Sequence, residues 1–175
     1  ISKPTVMHLV DDVLDTPTVA ISNAQAEIRG VIGLLERVVG SVAKPFISQK
    51  SLKDIEDDNE DFESGLKNRM MKIEFLNNEI SSYLVKINNQ DLTKNQSIEI
   101  FTLVSIINNI NSIKSSVDLR LHDLIIKKDQ LEGGMSDDLK IEIESYHVKL
   151  VKQIKRLGKF FDKYDQNRID KILTK

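Results

Sequence analysis

No cysteine occurs among these 175 residues, which removes disulfides, thiolate metal sites and thiol nucleophiles together and suits a reducing compartment. Aromatic residues are scarce at 5%, with no Trp, so stacking on nucleobases has little to work with. Neither sign of charge dominates: 25 basic against 27 acidic residues leave a net charge of -2 and no field that gathers polyanions or anionic lipid. No nucleic-acid partner is expected. No apolar run approaches the roughly 20 residues needed to span a bilayer, and no charged-apolar-small leader opens the chain. Direct membrane insertion by this chain is therefore not expected. Gly-rich phosphate loops, HExxH, GxSxG and Cys/His clusters are also missing. No catalytic residue is assigned, no cofactor is expected, and a non-enzymatic role is the first reading.

What remains is mostly helix. Seven Gly and three Pro leave few breaks between long stretches of helical period. "DTPT" predicts a first helix with Thr16 as N-cap and Pro17 at its first position, a stripe of Ile21, Ala24, Ile28, Val31, Leu35, Val38 and Val42, and an end before Pro45. A second helix is expected from near Ser51. The acids Asp54, Glu56, Asp57, Asp58, Glu60, Asp61 and Glu63 then occupy its first turns, where the dipole favours them over a cation site lacking the spacing of a calcium loop.

Its seam is Leu66, Met70, Ile73, Asn77, Ile80, Leu84 and Ile87, at bundle spacing. "TKNQ" predicts a capping box opening the third helix, Thr93 with Gln96, with a seam of Leu103, Ile107, Ile110, Lys114, Val117, Leu121 and Leu124. Asn77 and Lys114 interrupt apolar seams and are read as setting register. Gly133 and Gly134 then stop the helix and Ser136 caps a fourth, along Ile143, His147, Leu150, Ile154, Leu157 and Phe161. His147 is read as a hydrogen-bonded core histidine. Lys149, Lys152, Lys155, Arg156, Lys159 and Lys163 form a solvated outer face or a protein contact. Helices of roughly 25 to 40 residues joined by loops of about five predict an all-α, elongated antiparallel up-down bundle.

"SIINNINSIKSS" (105–116) is unusual within it. Its outer face carries Ser105, Asn108, Asn109, Ser112, Ser115 and Ser116 without a charge, where exposed helix faces usually carry Lys and Glu.

"LDTPTVAISNAQAEI" (14–28) and "KIEFLNNEISSYLVKI" (72–87) resemble the first two helices of the PhoU-like domain that follows the membrane part of sodium/phosphate cotransporter-family proteins. The likeness covers about residues 10 to 130. It implies a connector over 1–14, a PhoU-like bundle over 15–175, a first three-helix repeat over about 15–132 and the start of a second over about 136–175. Such domains have six helices, and "RIDKILTK" reads as a helix in progress, so a truncated bundle is expected.

In that family, acid pairs on the second and third helices hold a metal cluster. Those positions fall here on Met70 and Glu74, and on Asn108 and Ser112, leaving one carboxylate where a hard cation needs several oxygens. The resemblance thus implies degenerate positions and no metal site. The neutral face reads equally as a close helix-helix contact, and the two readings are compatible.

The implied role is a regulatory domain on the cytoplasmic face of the cell membrane, acting through protein contacts in phosphate transport. Its partner is the transporter membrane domain of the same polypeptide or a permease; a homodimer through the neutral face is the alternative contact. The alternative is a free-standing PhoU-type regulator that binds a permease or kinase. A metal-dependent enzyme ranks last, because it needs inward-facing carboxylate and histidine ligands.

Overall fold

The computed structural model describes residues 4–48, 50, 52–57, 60–132 and 134–173, with side chains described for all of these except 56, 57, 60 and 163–173. Four long helices dominate: α1 (Pro17–Ser41), α3 (Phe62–Asn88), α4 (Lys94–Asp129) and α5 (Asp137–Leu173), with a one-turn helix α2 at Lys44–Ile47. The fold is an all-α bundle. Cross-links fix its directions. Val10 and Tyr83 tie the start of α1 to the end of α3, Asn77 meets Asn111, and Arg29 meets Asp162 while Val39 meets His147. Each long helix thus runs antiparallel to the one before it.

α1 is the central helix, packed against α3 on one side and α5 on the other. Its residues Ile21, Ala24, Ile28, Val31, Ile32, Leu35 and Val38 have no exposed surface, and each large aliphatic chain so placed contributes roughly 1.5–3 kcal/mol before entropy is charged against it. The expected seams hold across Met70, Ile73, Ile80, Leu84 and Ile87 in α3 and Leu103, Ile107 and Ile110 in α4. Short connections suggest that all sequential helices are close neighbours. That expectation holds for α3 beside α4, but α5 packs chiefly on α1, and the α4–α5 side of the bundle stands open.

Several terminal signals act as read. Thr93 and Gln96 form the capping box, Gly134 takes φ 73°, and Ser136 Oγ accepts from the amide of Leu139. α5 continues unbroken through "KYDQNRID" to Leu173, so no separate fifth helix forms there. Pro17 opens α1, but the Thr16 hydroxyl makes no capping bond to it; it donates to Asp15 at 3.4 Å.

The acidic run departs most from expectation. A helix does not begin near residue 51. A 3-10 turn at Leu52–Asp54 leads into a hairpin pairing Glu56 with Asp61 and Asp57 with Glu60, and the helix starts only at Phe62. Ser51 and Asp58 lie outside the described residues, as does Gly133. The physical reason is the pair of apolar residues inside the run: Ile55 and Phe62 are buried with Ile125 in a second small core, against Phe46, Leu52, Leu66 and Leu121. On a continuous helix these two would share a face but stand about 10 Å apart; the hairpin brings them side by side, with the Phe62 amide donating to the Ile55 carbonyl at 3.1 Å. Asp61 then serves as N-cap, accepting from the Ser64 amide at 2.9 Å.

Candidate functional site

Two grooves flank α4. The first, of about 300 Å³, lies between the start of α3 and the end of α4 and is lined by Met70, Glu74, Lys114, Asp118 and His122 among others. Lys114 sits on the seam because its four-carbon stem can be buried while the ammonium reaches outward. That ammonium lies 2.7 Å from Asp118 and 3.2 Å from Glu74. The hydrogen bond to Asp118 raises the Lys114 pKa, with Glu74 adding to it against the cost of burial. A positive charge thus already occupies the space between the two carboxylates.

The four positions drawn from the resemblance do not share one site. Met70 is buried and Glu74 lines this groove, whereas Asn108 and Ser112 are exposed on another side of α4, where the Ser112 hydroxyl donates to the Asn108 carbonyl at 3.0 Å. Among the described residues no group of three or more His, Asp or Glu side chains is placed to hold a metal ion. Among the described residues no helix covers the neutral face: Asn108, Asn109, Ser112, Ser115 and Ser116 are all exposed.

The second groove, of about 800 Å³, fills the open side of the bundle. Val117 and Leu124 of α4 form one wall, Ile143 and Leu150 of α5 the other, and Val42 and Phe46 the floor. Arg120, Glu142 and Tyr146 are its main polar rim. His147 is fixed within it by a 2.6 Å hydrogen bond between Nε2 and the Val39 carbonyl, which requires the Nε2–H tautomer. It is hydrogen-bonded, as read, but half-buried on the groove wall and not part of the core. This groove has the size and apolar lining of a binding site, with few polar groups at its edge. The outer face of α5, from Lys149 through Lys152, Lys155 and Arg156 to Lys159, is solvated; the Lys163 side chain lies outside the described residues.

Sequence reasoning missed three charged groups that fasten the fold, two of them buried. Glu27 is 4% exposed and accepts from the amides of Met7 (3.0 Å) and His8 (2.7 Å), fastening the preceding segment onto α1. Its signal was a carboxylate three residues after Ala24 on the apolar stripe. Arg69 is buried in α3, where desolvation and then the nearby Arg37 charge lower its pKa. Arg29 bridges α1 to Asp162 on α5 through bonds of 2.6 and 3.3 Å, which raise the arginine pKa and lower that of the aspartate. Gly158 leaves room beside this pair: a Cβ there meets the Glu36 carboxylate at 2.5 Å and the Arg29 guanidinium at 3.2 Å, both ends of side chains that can shift.

Fold and grooves together define an all-α bundle with one open apolar side. No family model, curated protein or solved structure matches this chain.

Proposed function

We propose that this chain is a non-enzymatic, PhoU-like regulatory domain of a sodium/phosphate cotransporter-related membrane protein. It works at the cytoplasmic face by seating an amphipathic helix of the transporter in the α4–α5 groove. The observation that carries the contact role is the groove itself: apolar on three sides, open on the fourth, and walled by about three turns of α4 (Ile113–Leu124) and four of α5 (Leu139–Ile154). Helix-in-groove recognition needs that shape, with anchors spaced one helical turn apart. The family and the transport role rest on the resemblance of residues 14–28 and 72–87, which fall on α1 and α3. The Lys114 ammonium between Glu74 and Asp118 supports a metal-free reading of the other groove. Among the described residues no helix is long and apolar enough to cross a membrane, so in this reading the spanning part lies elsewhere in the polypeptide.

The test is phosphate uptake by cells whose chromosomal copy carries Leu124→Asp with Leu150→Asp, both half-exposed on the groove walls. Uptake is expected to change at unchanged protein level, because a charge on each wall repels an apolar helix. Uptake equal to the parent in phosphate-rich and phosphate-starved cells overturns the proposal.

A further inference from the structure

The exposed face of α4 carries large apolar residues as well as small neutral ones, and their order is symmetric. Phe101 and Leu119 are 74% and 75% exposed. Eighteen residues apart, they stand five helical turns apart on one line of the helix, about 27 Å from each other. Ile110 lies midway and points the opposite way, into the core. Asn108 and Ser112 sit two residues either side of it, and Ser105 and Ser115 five. At 3.6 residues per turn both pairs flank the Phe101–Leu119 line evenly.

We infer that two copies of this chain pair through α4 in antiparallel fashion, about a two-fold axis passing between Asn108 and Ser112. A two-fold interface must be complementary to itself. Here the symmetry of the sequence supplies that property: turning the helix end for end brings Phe101 onto Leu119 of the second copy and Ser105 onto its Ser115.

The charge pattern suits a second copy better than a partner of different chemistry. No Asp, Glu, Lys or Arg lies along this line between Ile98 and Leu119; Glu99, Lys114 and Asp118 point elsewhere and have partners at Gln25, Glu74 and each other. Like charges, which a two-fold axis would bring together, are therefore absent. Burial costs little for three of the hydroxyls. The hydroxyls of Ser105, Ser112 and Ser116 already donate to the carbonyls of Phe101, Asn108 and Ser112, at 2.9, 3.0 and 2.9 Å, so these donors stay satisfied when water leaves. Short side chains at the centre let the helix axes approach to about 8 Å. One helix pair about 30 Å long falls at the small end of specific interfaces, so the dimer is reversible and concentration-dependent. This inference stands apart from the transport reading, since it concerns the chain alone.

The test combines sedimentation equilibrium with cross-linking. The parent is expected to pass from monomer to dimer between about 1 and about 300 µM, and Phe101→Lys with Leu119→Lys, both at exposed positions, to remain monomeric with unchanged circular dichroism. Because the chain has no cysteine, orientation is read directly from Ser105→Cys and Ser115→Cys proteins. Mixed and oxidised, they should form the 105–115 disulfide. Neither should form a rapid disulfide alone, since like positions are then about 15 Å apart, beyond disulfide reach. A monomer at every concentration, a dimer that survives the double lysine variant, or rapid 105–105 cross-linking overturns the inference.

Discussion

The ammonium of Lys114, on α4, stands 3.2 Å from the Glu74 carboxylate of α3. With Asp118 at 2.7 Å, it forms a bridge in which one seam lysine serves two helices. Glu74 and Asp118 are 60% and 47% exposed, so screening limits the bridge to about 0.5–1 kcal/mol. Lys114→Met, which keeps the buried stem, is expected to lose that amount in urea denaturation at neutral pH. The folded pKa lies above the ordinary value of 10.5, so the contribution is complete below that value. It is lost as pH rises through the raised one. The parent and variant curves should therefore converge at strongly alkaline pH.

Glu27 fastens the segment before α1. Its buried carboxylate accepts two backbone amides, while the Tyr83 hydroxyl donates to the Val10 carbonyl at 2.8 Å and Lys86 pairs with Asp11. Glu27→Ala is expected to cost about 2–3 kcal/mol. It should also release the Met7 and His8 amides from protection in hydrogen exchange, and unchanged protection contradicts the assignment.

Asn77 is 1% exposed and donates to the Asn111 side chain at 2.6 Å, but its own Oδ1 has no partner. Replacing it by Leu removes that unsatisfied acceptor from an apolar seam, and about 1 kcal/mol of added stability is expected. The register role read for this position predicts a second effect: broader amide spectra in the variant, as alternative alignments of α3 on α4 become populated.

Asp61 caps α3 through the Ser64 amide, and this bond lowers the aspartate pKa. A depressed pKa means that the stabilisation is present above the ordinary value of 3.8 and is lost as pH falls through the folded value. Asp61→Ala should lower stability at neutral pH and flatten the acid limb of the stability profile, as followed by circular dichroism.

The seams of α1, α3 and the first half of α4 were legible because burial on one face leaves a period of three and four in the sequence; Leu124 and Leu150, read as seam residues, are half-exposed, and Ile125 is buried in place of Leu124. Thr93 with Gln96, and Gly134 with Ser136, were legible because capping chemistry is local. The hairpin before α3 was not. Seven acids between residues 54 and 63 suit a helix start, and only the burial of Ile55 and Phe62 against Ile125, more than sixty residues away, decides otherwise. The α4–α5 groove was hidden for a similar reason. Leu124 and Leu150 fall on good seams, but how closely two seams meet depends on the third helix between them, here α1. Lys114 stood out in the sequence, whereas its partner Glu74 came from a different argument and only the fold joins the two.

The measurement that bears most directly on a metal-free contact role is elemental analysis of the purified chain, before and after incubation with Fe, Zn, Mn and Mg salts and removal of free ions. Less than a tenth of an equivalent of any of these metals, about the level of adventitious ions, is the expected result. One or more equivalents retained by the parent and lost in Glu74→Ala would contradict it, placing a cation where the Lys114 ammonium stands.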